Sequence, residues 1–412
     1  MLIKQRKCFM ALIASLFALL TSIRGQNWMQ TSAPRLQWAG VACSADGKKL
    51  AAVTGGQQGR AGLIYVSTNS GATWTSTSAP RLIWTSVASS ADGSKLVALS
   101  SSIIPATIYT STNSGLTWTR ASVPVENWSC VASSADGSKL IAGAGVFWGR
   151  PAGPVYTSAD SGATWTPTSL PISYWRGVAS SSDGSQLVAV PYGGVSHTNL
   201  PLYTSTDSGA TWTTNSLMSE GWSCVASSAD GMKLAVGGDS GPIYTSTNSG
   251  LTWISNNIPI EYYQFIASSA DGNALVAVTD YNITSTGSGP IYSSTNSGTT
   301  WVSNNVVGSD IFWQTAAVSA DGAKWVAAGI YAYGSPFGNI YVTPPEVLLE
   351  SEVANSSFIV SWPTNATGFS LEQSPILPAT NWVTVTNSPS ITNGNNQVVL
   401  SATKGLFLRL KQ

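Results

Sequence analysis

The stretch Ile-Tyr-Thr-Ser-Thr-Asn-Ser-Gly-Leu-Thr-Trp, running from Ile243 to Trp253, decides the fold, because it returns lightly varied along most of the chain. Ile243, Tyr244 and Thr245 are β-branched or aromatic, Asn248, Ser249 and Gly250 are turn formers, and Thr252 with Trp253 begin a new extended run. The stretch therefore reads as a strand, a tight turn and a returning strand. Its turn follows the pattern Ser-x-Asp/Asn-x-Gly-x-Thr-Trp, with Asn at Asn69, Asn113, Asn248 and Asn296 and Asp at Asp160 and Asp207.

A second marker sets the period. An Asp-Gly pair falls at Asp46, Asp92, Asp136, Asp183, Asp230, Asp271 and Asp321, at intervals of 46, 44, 47, 47, 41 and 50 residues. Eight residues before each stands an aromatic: Trp38, Trp84, Trp128, Trp175, Trp222, Tyr263 and Trp313. That interval is the length of a propeller blade. Each unit reads as four strands: one from the marker aromatic, an Asp-Gly hairpin, a second such as Lys-Leu-Val-Ala, a variable loop, a third, the Ser-x-Asp/Asn turn, and a fourth. Seven units predict an all-β chain with a seven-bladed β-propeller of four-stranded blades.

The seventh unit stops at Pro344 and Pro345 without a fourth strand. The missing piece stands at the front: Trp28-Met-Gln-Thr-Ser-Ala-Pro34 aligns with Trp74-Thr-Ser-Thr-Ser-Ala-Pro80, and Trp28 and Trp74 each lie ten residues before a marker aromatic. Residues 28 to 33 are thus expected to close the last blade, since a ring leaves no long unpaired edge.

These turns resemble the Asp-box, or BNR repeat, of the sialidase-like propellers. The resemblance implies a structural role for Asn69, Asn113, Asp160, Asp207, Asn248 and Asn296: the side chain caps the backbone amides of the turn, Gly supplies a positive φ, and Trp packs beneath. Burying a tryptophan removes roughly 150 to 250 Å² from water, an upper bound of about 4 to 6 kcal/mol, against about 1 for a turn hydrogen bond. The sialidases themselves need an arginine triad, a Tyr/Glu nucleophile pair and an Arg-Ile-Pro-type motif; that motif is absent here, and the blade count differs. Over about residues 28 to 342 the likeness is closer to the seven-bladed, non-catalytic photosystem II assembly-factor type. What carries over is the scaffold repeat.

Composition bounds the partners. The chain has 412 residues, 19 Lys+Arg against 19 Asp+Glu, and only 9% charged residues, which gives no basis for binding nucleic acid or an anionic membrane surface. Residues 1 to 25 carry Lys4, Arg6 and Lys7 and then an apolar run from Cys8 to Leu20, which reads as a signal peptide. A secreted, periplasmic or cell-surface protein is expected, with no membrane span after cleavage; an uncleaved anchor is the alternative. The propeller then occupies residues 26 to 343, and a small β-sandwich-like domain residues 344 to 412, with strands near 358, 369, 382, 397 and 406. Cys43, Cys130 and Cys224 read as small buried residues, neither a disulfide framework nor a metal site.

Comparison of the repeats separates two faces. Asp-Gly hairpins and Ser-x-Asp/Asn turns, nearly identical from unit to unit, lie on one; the loops that vary lie on the other, where a ligand is read. Those loops carry Arg35, Arg81, Glu126, Tyr174, Glu220, Glu261 and Asp310 at nearly equivalent places, with Arg176 beside them, and the aromatics Trp148, near Arg150, and Tyr192. The expectation is a ring around the mouth of a channel that binds a glycan or a protein partner, on a monomer, without metal or other cofactor. Catalysis has less to stand on. His197 is the single histidine, and paired carboxylates for glycoside hydrolysis could come only from Glu126, Glu220, Glu261, Asp239, Asp280 or Asp310. A glycoside-active enzyme on the same face is the alternative reading.

Overall fold

The computed structural model describes residues 28–56, 61–101, 106–145, 151–192, 200–219, 221–238, 241–279, 289–304, 306, 311–331 and 337–343, and beyond them 350–354, 357–363, 370–374, 383–392, 395–401 and 407–411. The signal-peptide reading, and with it Cys8, falls outside these residues. The chain forms two compact units, one ending at Pro344 and the other running from Pro345 to Gln412.

The first unit holds seven four-stranded antiparallel sheets, the blades of a propeller. Blade one comprises Trp38–Cys43, Leu50–Thr54, Ile64–Ser67 and Thr75–Ser76, and the next five repeat that order. In the seventh, Ile311–Val318, Trp325–Tyr331 and Ile340–Val342 are joined by Met29–Gln30, with Met29 opposite Val342 and Gln30 opposite Tyr341. The first strands of the seven blades neighbour one another in a closed inner circle, the first strand of blade seven lying beside Trp38–Cys43.

Burial explains the sequence pattern. Second strands such as Leu96–Ser100 and Leu275–Thr279 are buried at every position, which is why they read as unbroken apolar runs. The hydrophobic cores lie between blades. Trp128 of blade three, for example, packs with Val97, Leu99 and Ile108 of blade two, and Trp38 of blade one packs with Val326, Ala328 and Ile340 of blade seven. In every blade the marker aromatic meets a tyrosine of the third strand, from Trp128–Tyr156 at 5.3 Å between ring centroids to Tyr263–Tyr292 at 6.2 Å.

The Asp-Gly hairpins are self-contained. Ser44 donates to Asp46 Oδ1 at 2.6 Å, the same carboxylate accepts the amide of Lys48, and Gly47 takes a φ of 65°. Successive hairpins are linked by backbone bonds of 2.7 to 2.9 Å, from Ala45 to Ala91 and on through Ala135, Ser182, Ala229, Ala270 and Ala320, whose amide returns to the carbonyl of Ala45.

The Ser-x-Asp/Asn turns hold two surprises. Glycine is not alone at positive φ: Ser70 lies at 56° and Gly71 at 86°, and each of the six turns repeats the pair. In four of them that serine accepts a hydrogen bond from a lysine of the preceding blade, as Ser161 does from Lys95 Nζ at 3.2 Å. The turn tryptophans are also only half-buried, with Trp74 Nε1 donating to the Gly71 carbonyl at 3.1 Å. Full burial belongs to the markers: Trp84, Trp128, Trp175 and Trp222 are at 0% exposure. The area argument therefore applies to the marker rather than to the turn.

The second unit contains a four-stranded sheet, in the order Glu350–Ala354, Ser357–Pro363, Asn395–Ser401, Ser390–Thr392, and a three-stranded one, Val383–Thr384, Ser370–Ser374, Phe407–Lys411. Val360, Leu371, Val398 and Leu400 are buried hydrophobic residues of this unit. The cysteines Cys43, Cys130 and Cys224 are unbridged, and burial pushes the thiol of Cys130 up to about 11 and that of Cys43 up to about 12.

Candidate functional site: the loop-face rim and the mouth of the ring

Inter-blade loops climb from each fourth strand to the next marker aromatic. Four of them are fixed by bridges to the preceding blade: Leu36 to Gly338, Leu82 to Gly62, Ser173 to Gly153 and Glu261 to Gly241. The bridging residue stands two before the marker and turns inward. The residue three before the marker turns out. This alternation is the two-residue period of an extended chain, and it sorts the expected ring of charges into two sets.

Outward are Arg35, Arg81, Val125, Ile172 and Ile260, the last three at 66%, 63% and 55% exposure. Inward are Glu126 and Glu261. Glu126 is half-buried and its Oε1 accepts from the Tyr156 hydroxyl at 3.3 Å. Glu261 is 5% exposed and accepts from the hydroxyl of Tyr292, whose titration is pushed up to about 12 by burial and by that carboxylate. Tyr263, beside it, donates to the carbonyl of Pro259 and is raised further, chiefly by burial. Glu126 and Glu261 thus stand among the supports of their blades, and Arg35 and Arg81 stand on the rim. Asp310, Glu220, Trp148 and Arg150 lie outside the described residues, as do His197, Asp239 and Asp280.

The rim cations differ in their settings. Arg35 sits with its guanidinium carbon 4.9 Å from the centroid of the Tyr331 ring, while Arg81 is exposed. Among the described residues the ion pair is Lys48 with Asp46 at 3.8 Å, on the opposite face. Rim aromatics are Tyr262 and Phe337, at 36% and 40% exposure.

Inside the rim, every first strand carries a bulge directly after its marker, at Ala39, Thr85, Ser129, Arg176, Ser223, Gln264 and Gln314. A bulge re-aims its side chain, and these seven lie at the loop-face end of the inner circle of first strands. Arg176 is exposed and donates from Nη2 to Gln264 Oε1 at 3.1 Å, with its guanidinium carbon 5.7 Å from the centroid of Tyr192. Tyr192 is tied in turn by its amide to the Tyr174 carbonyl at 2.6 Å. The sequence reading reached Arg176, Tyr174 and Tyr192 but missed Gln264. Aligning the residue after each marker would have found it.

On the turn face, a hollow of about 170 Å³ between blades three and four is lined by Lys139, Thr157, Ser158, Thr164, Gly184 and Ser208. Lys139 is already bonded to Ser208, at 3.1 Å. No group of three or more His, Cys, Asp and Glu residues placed to hold a metal occurs among the described residues, nor is any helix there long and apolar enough to cross a membrane.

An inner circle of first strands, inter-blade cores and a rim of loops define a β-propeller of repeated four-stranded blades. Solved structures of the same fold include YCF48 from Cyanidioschyzon merolae, with 14% identity, a TM-score of 0.55 and coverage of 77% of this chain and 98% of that one. A YCF48 bound to D1 peptide is similar at 14% identity and a TM-score of 0.54, covering 79% of this chain and 98% of its own. At that identity the likeness speaks for the fold. No protein-family model and no curated protein matches the chain.

Proposed function

We propose that this chain is an exported, non-catalytic binding and scaffolding protein, an Asp-box propeller that holds an extended segment of a partner protein across its variable-loop rim. The observation that carries the reading is the sorting of the inter-blade loops: Arg35, Arg81, Val125, Ile172 and Ile260 stand outward, while Glu126 and Glu261 are engaged by tyrosines. Exposed aliphatic side chains and guanidinium groups at equivalent places on one rim suit a chain that carries both apolar and acidic residues. Rigid sheets behind the rim keep the ordering cost of binding low. The propeller similar in fold that is bound to a peptide lends support to a protein ligand.

In this reading the N-terminal strand closes the ring, the small C-terminal unit is a sandwich-like cap or spacer, and residues 1 to 25 direct export. A glycan is the competing ligand, and it would use Tyr262 and Phe337 as stacking surfaces.

Incubating the mature chain with an immobilised peptide library and a glycan panel, and following retention and newly released reducing ends in the same samples, tests the reading. Retention on peptides rich in aliphatic and acidic residues, weakened at least tenfold by Arg35→Ala with Arg81→Ala, is expected. Retention on glycans alone would replace the partner class, and released sugar ends would make the chain an enzyme.

A further inference from the structure

The bulged residue after the marker has a structural use in three blades. Thr85 donates its hydroxyl to the carbonyl of Trp128 at 3.1 Å, Ser129 donates to that of Trp175 at 2.7 Å, and Ser223 donates to that of Tyr263. Each bond clips one first strand to the first strand of the next blade. Blade four forgoes its clip to Trp222 and places Arg176 there instead. Blades one, six and seven, with Ala39, Gln264 and Gln314, carry no hydroxyl there either, but blade four alone sets a charged group at the position, and a charge set where its neighbours are neutral marks a functional position.

The arginine is also prepared for a ligand. One of its five N–H donors is used by Gln264, which lies two blades on across the mouth of the ring. The Tyr192 ring lies beneath the guanidinium carbon, its centroid 5.7 Å away, a cation–π contact that favours this placement of the charge. No carboxylate among the described residues lies within ion-pair distance of it. Among the described residues the planar fork therefore keeps donors available and its charge without a carboxylate partner.

We propose that Arg176, positioned by Gln264 and Tyr192, is a receptor for a single carboxylate at the mouth of the ring. A carboxylate matches the fork with two parallel hydrogen bonds, and no second cation stands at the other bulge positions to favour a doubly charged group such as phosphate. The carboxylate comes either from an acidic residue or chain end of a segment held on the rim, which rests on the proposed function, or from a small free acid, which does not.

The experiment is calorimetric titration of the full mature chain with succinate, with inorganic phosphate, and with an acidic peptide retained on the rim. The variants are Arg176→Ser, Arg176→Lys and Gln264→Ala, each with a melting curve. Saturable succinate or peptide binding that weakens at least tenfold in Arg176→Ser is expected, with Arg176→Lys and Gln264→Ala in between. Because serine restores the clip of blades three and five, Arg176→Ser is expected to melt at or above the parent temperature. Binding of the peptide but not of succinate assigns the carboxylate to the partner, and succinate binding that survives Arg35→Ala with Arg81→Ala separates this site from the rim. Three results overturn the proposal: no saturable binding of either probe up to about 10 mM, equal affinity in Arg176→Ser, or phosphate bound as tightly as succinate. A lower melting temperature for Arg176→Ser with unchanged affinity would make the arginine a strut.

Discussion

Ala320 donates its amide to the carbonyl of Ala45 at 2.8 Å, joining the last Asp-Gly hairpin of the propeller to the first. With it the backbone bonds that link the hairpins return to their start. Closure on this face is matched at the rim, where Leu36 bridges Gly338, and at the outer edge, where Met29–Gln30 pairs with Ile340–Val342. Trp28 adds a ring contact with Trp325, their centroids 6.4 Å apart.

Deleting residues 28 to 37 should therefore loosen the whole ring. The loss includes the strand pairing, the bridge and the burial of Ala33 at 7% exposure, and it should lower stability by about 3 to 5 kcal/mol, a drop of roughly 10 °C. A melting curve indistinguishable from the parent's would show that the N-terminal segment is not a closing element.

Marker and turn tryptophans should separate cleanly. Trp84, at 0% exposure, packs with Val53, Ile64 and Ala98, so Trp84→Ala is expected to cost about 3 to 5 kcal/mol. Trp74 is half-buried, and Trp74→Ala should cost about half as much. Urea unfolding of the two variants gives the ranking directly, and equal costs would contradict the assignment of the core to the markers.

Acid should act through the turns. Ser90 and the amide of Ser94 hold Asp92 at about 2, and Thr164 and Ser158 hold Asp160 there, against 3.8 unperturbed. A carboxylate lowered in the folded state contributes stability that is present above pH 3.8 and is lost as pH falls through about 2. Each contribution is small because these groups face water. The melting temperature should stay level above about pH 5 and fall between about 4 and 2, and Asp92→Asn should flatten part of that fall. A decline that begins near neutrality would point to another group.

Glu261 and Glu126 occupy equivalent places at unequal depth. Glu261→Ala leaves the Tyr292 hydroxyl in a buried site and should cost about 1 to 3 kcal/mol, whereas Glu126→Ala, half-buried, should cost under about 1. Denaturant midpoints decide it. Equal small effects would show Glu261 to be a rim residue after all.

Much of the scaffold was legible because its signals repeat. The spacing of Asp46, Asp92, Asp136 and their successors, and the aromatic eight residues earlier, mark each blade independently. The site was less legible because it depends on a single residue of register. Arg35 stands three residues before its marker and Glu126 two before its own, and that difference places one on the rim and the other against a tyrosine. The bulge that aims Arg176 at Gln264 leaves no mark of its own in the sequence, since Ala39, Thr85 and Ser129 adopt it equally. The third-strand tyrosine that meets every marker aromatic recurs in each repeat, but its ring contact depends on packing between strands that the repeat alone does not specify.

The central claim is that this propeller receives its ligand on the variable-loop rim. Hydrogen exchange of the chain with and without a retained peptide locates the contact directly. Protection should appear in residues 79 to 83, 121 to 127, 170 to 175 and 258 to 262, the loops that carry Arg81, Val125, Ile172 and Ile260. Protection confined to the Asp-Gly hairpins and the Ser-x-Asp/Asn turns, with those loops unchanged, would place the ligand on the opposite face and contradict the account.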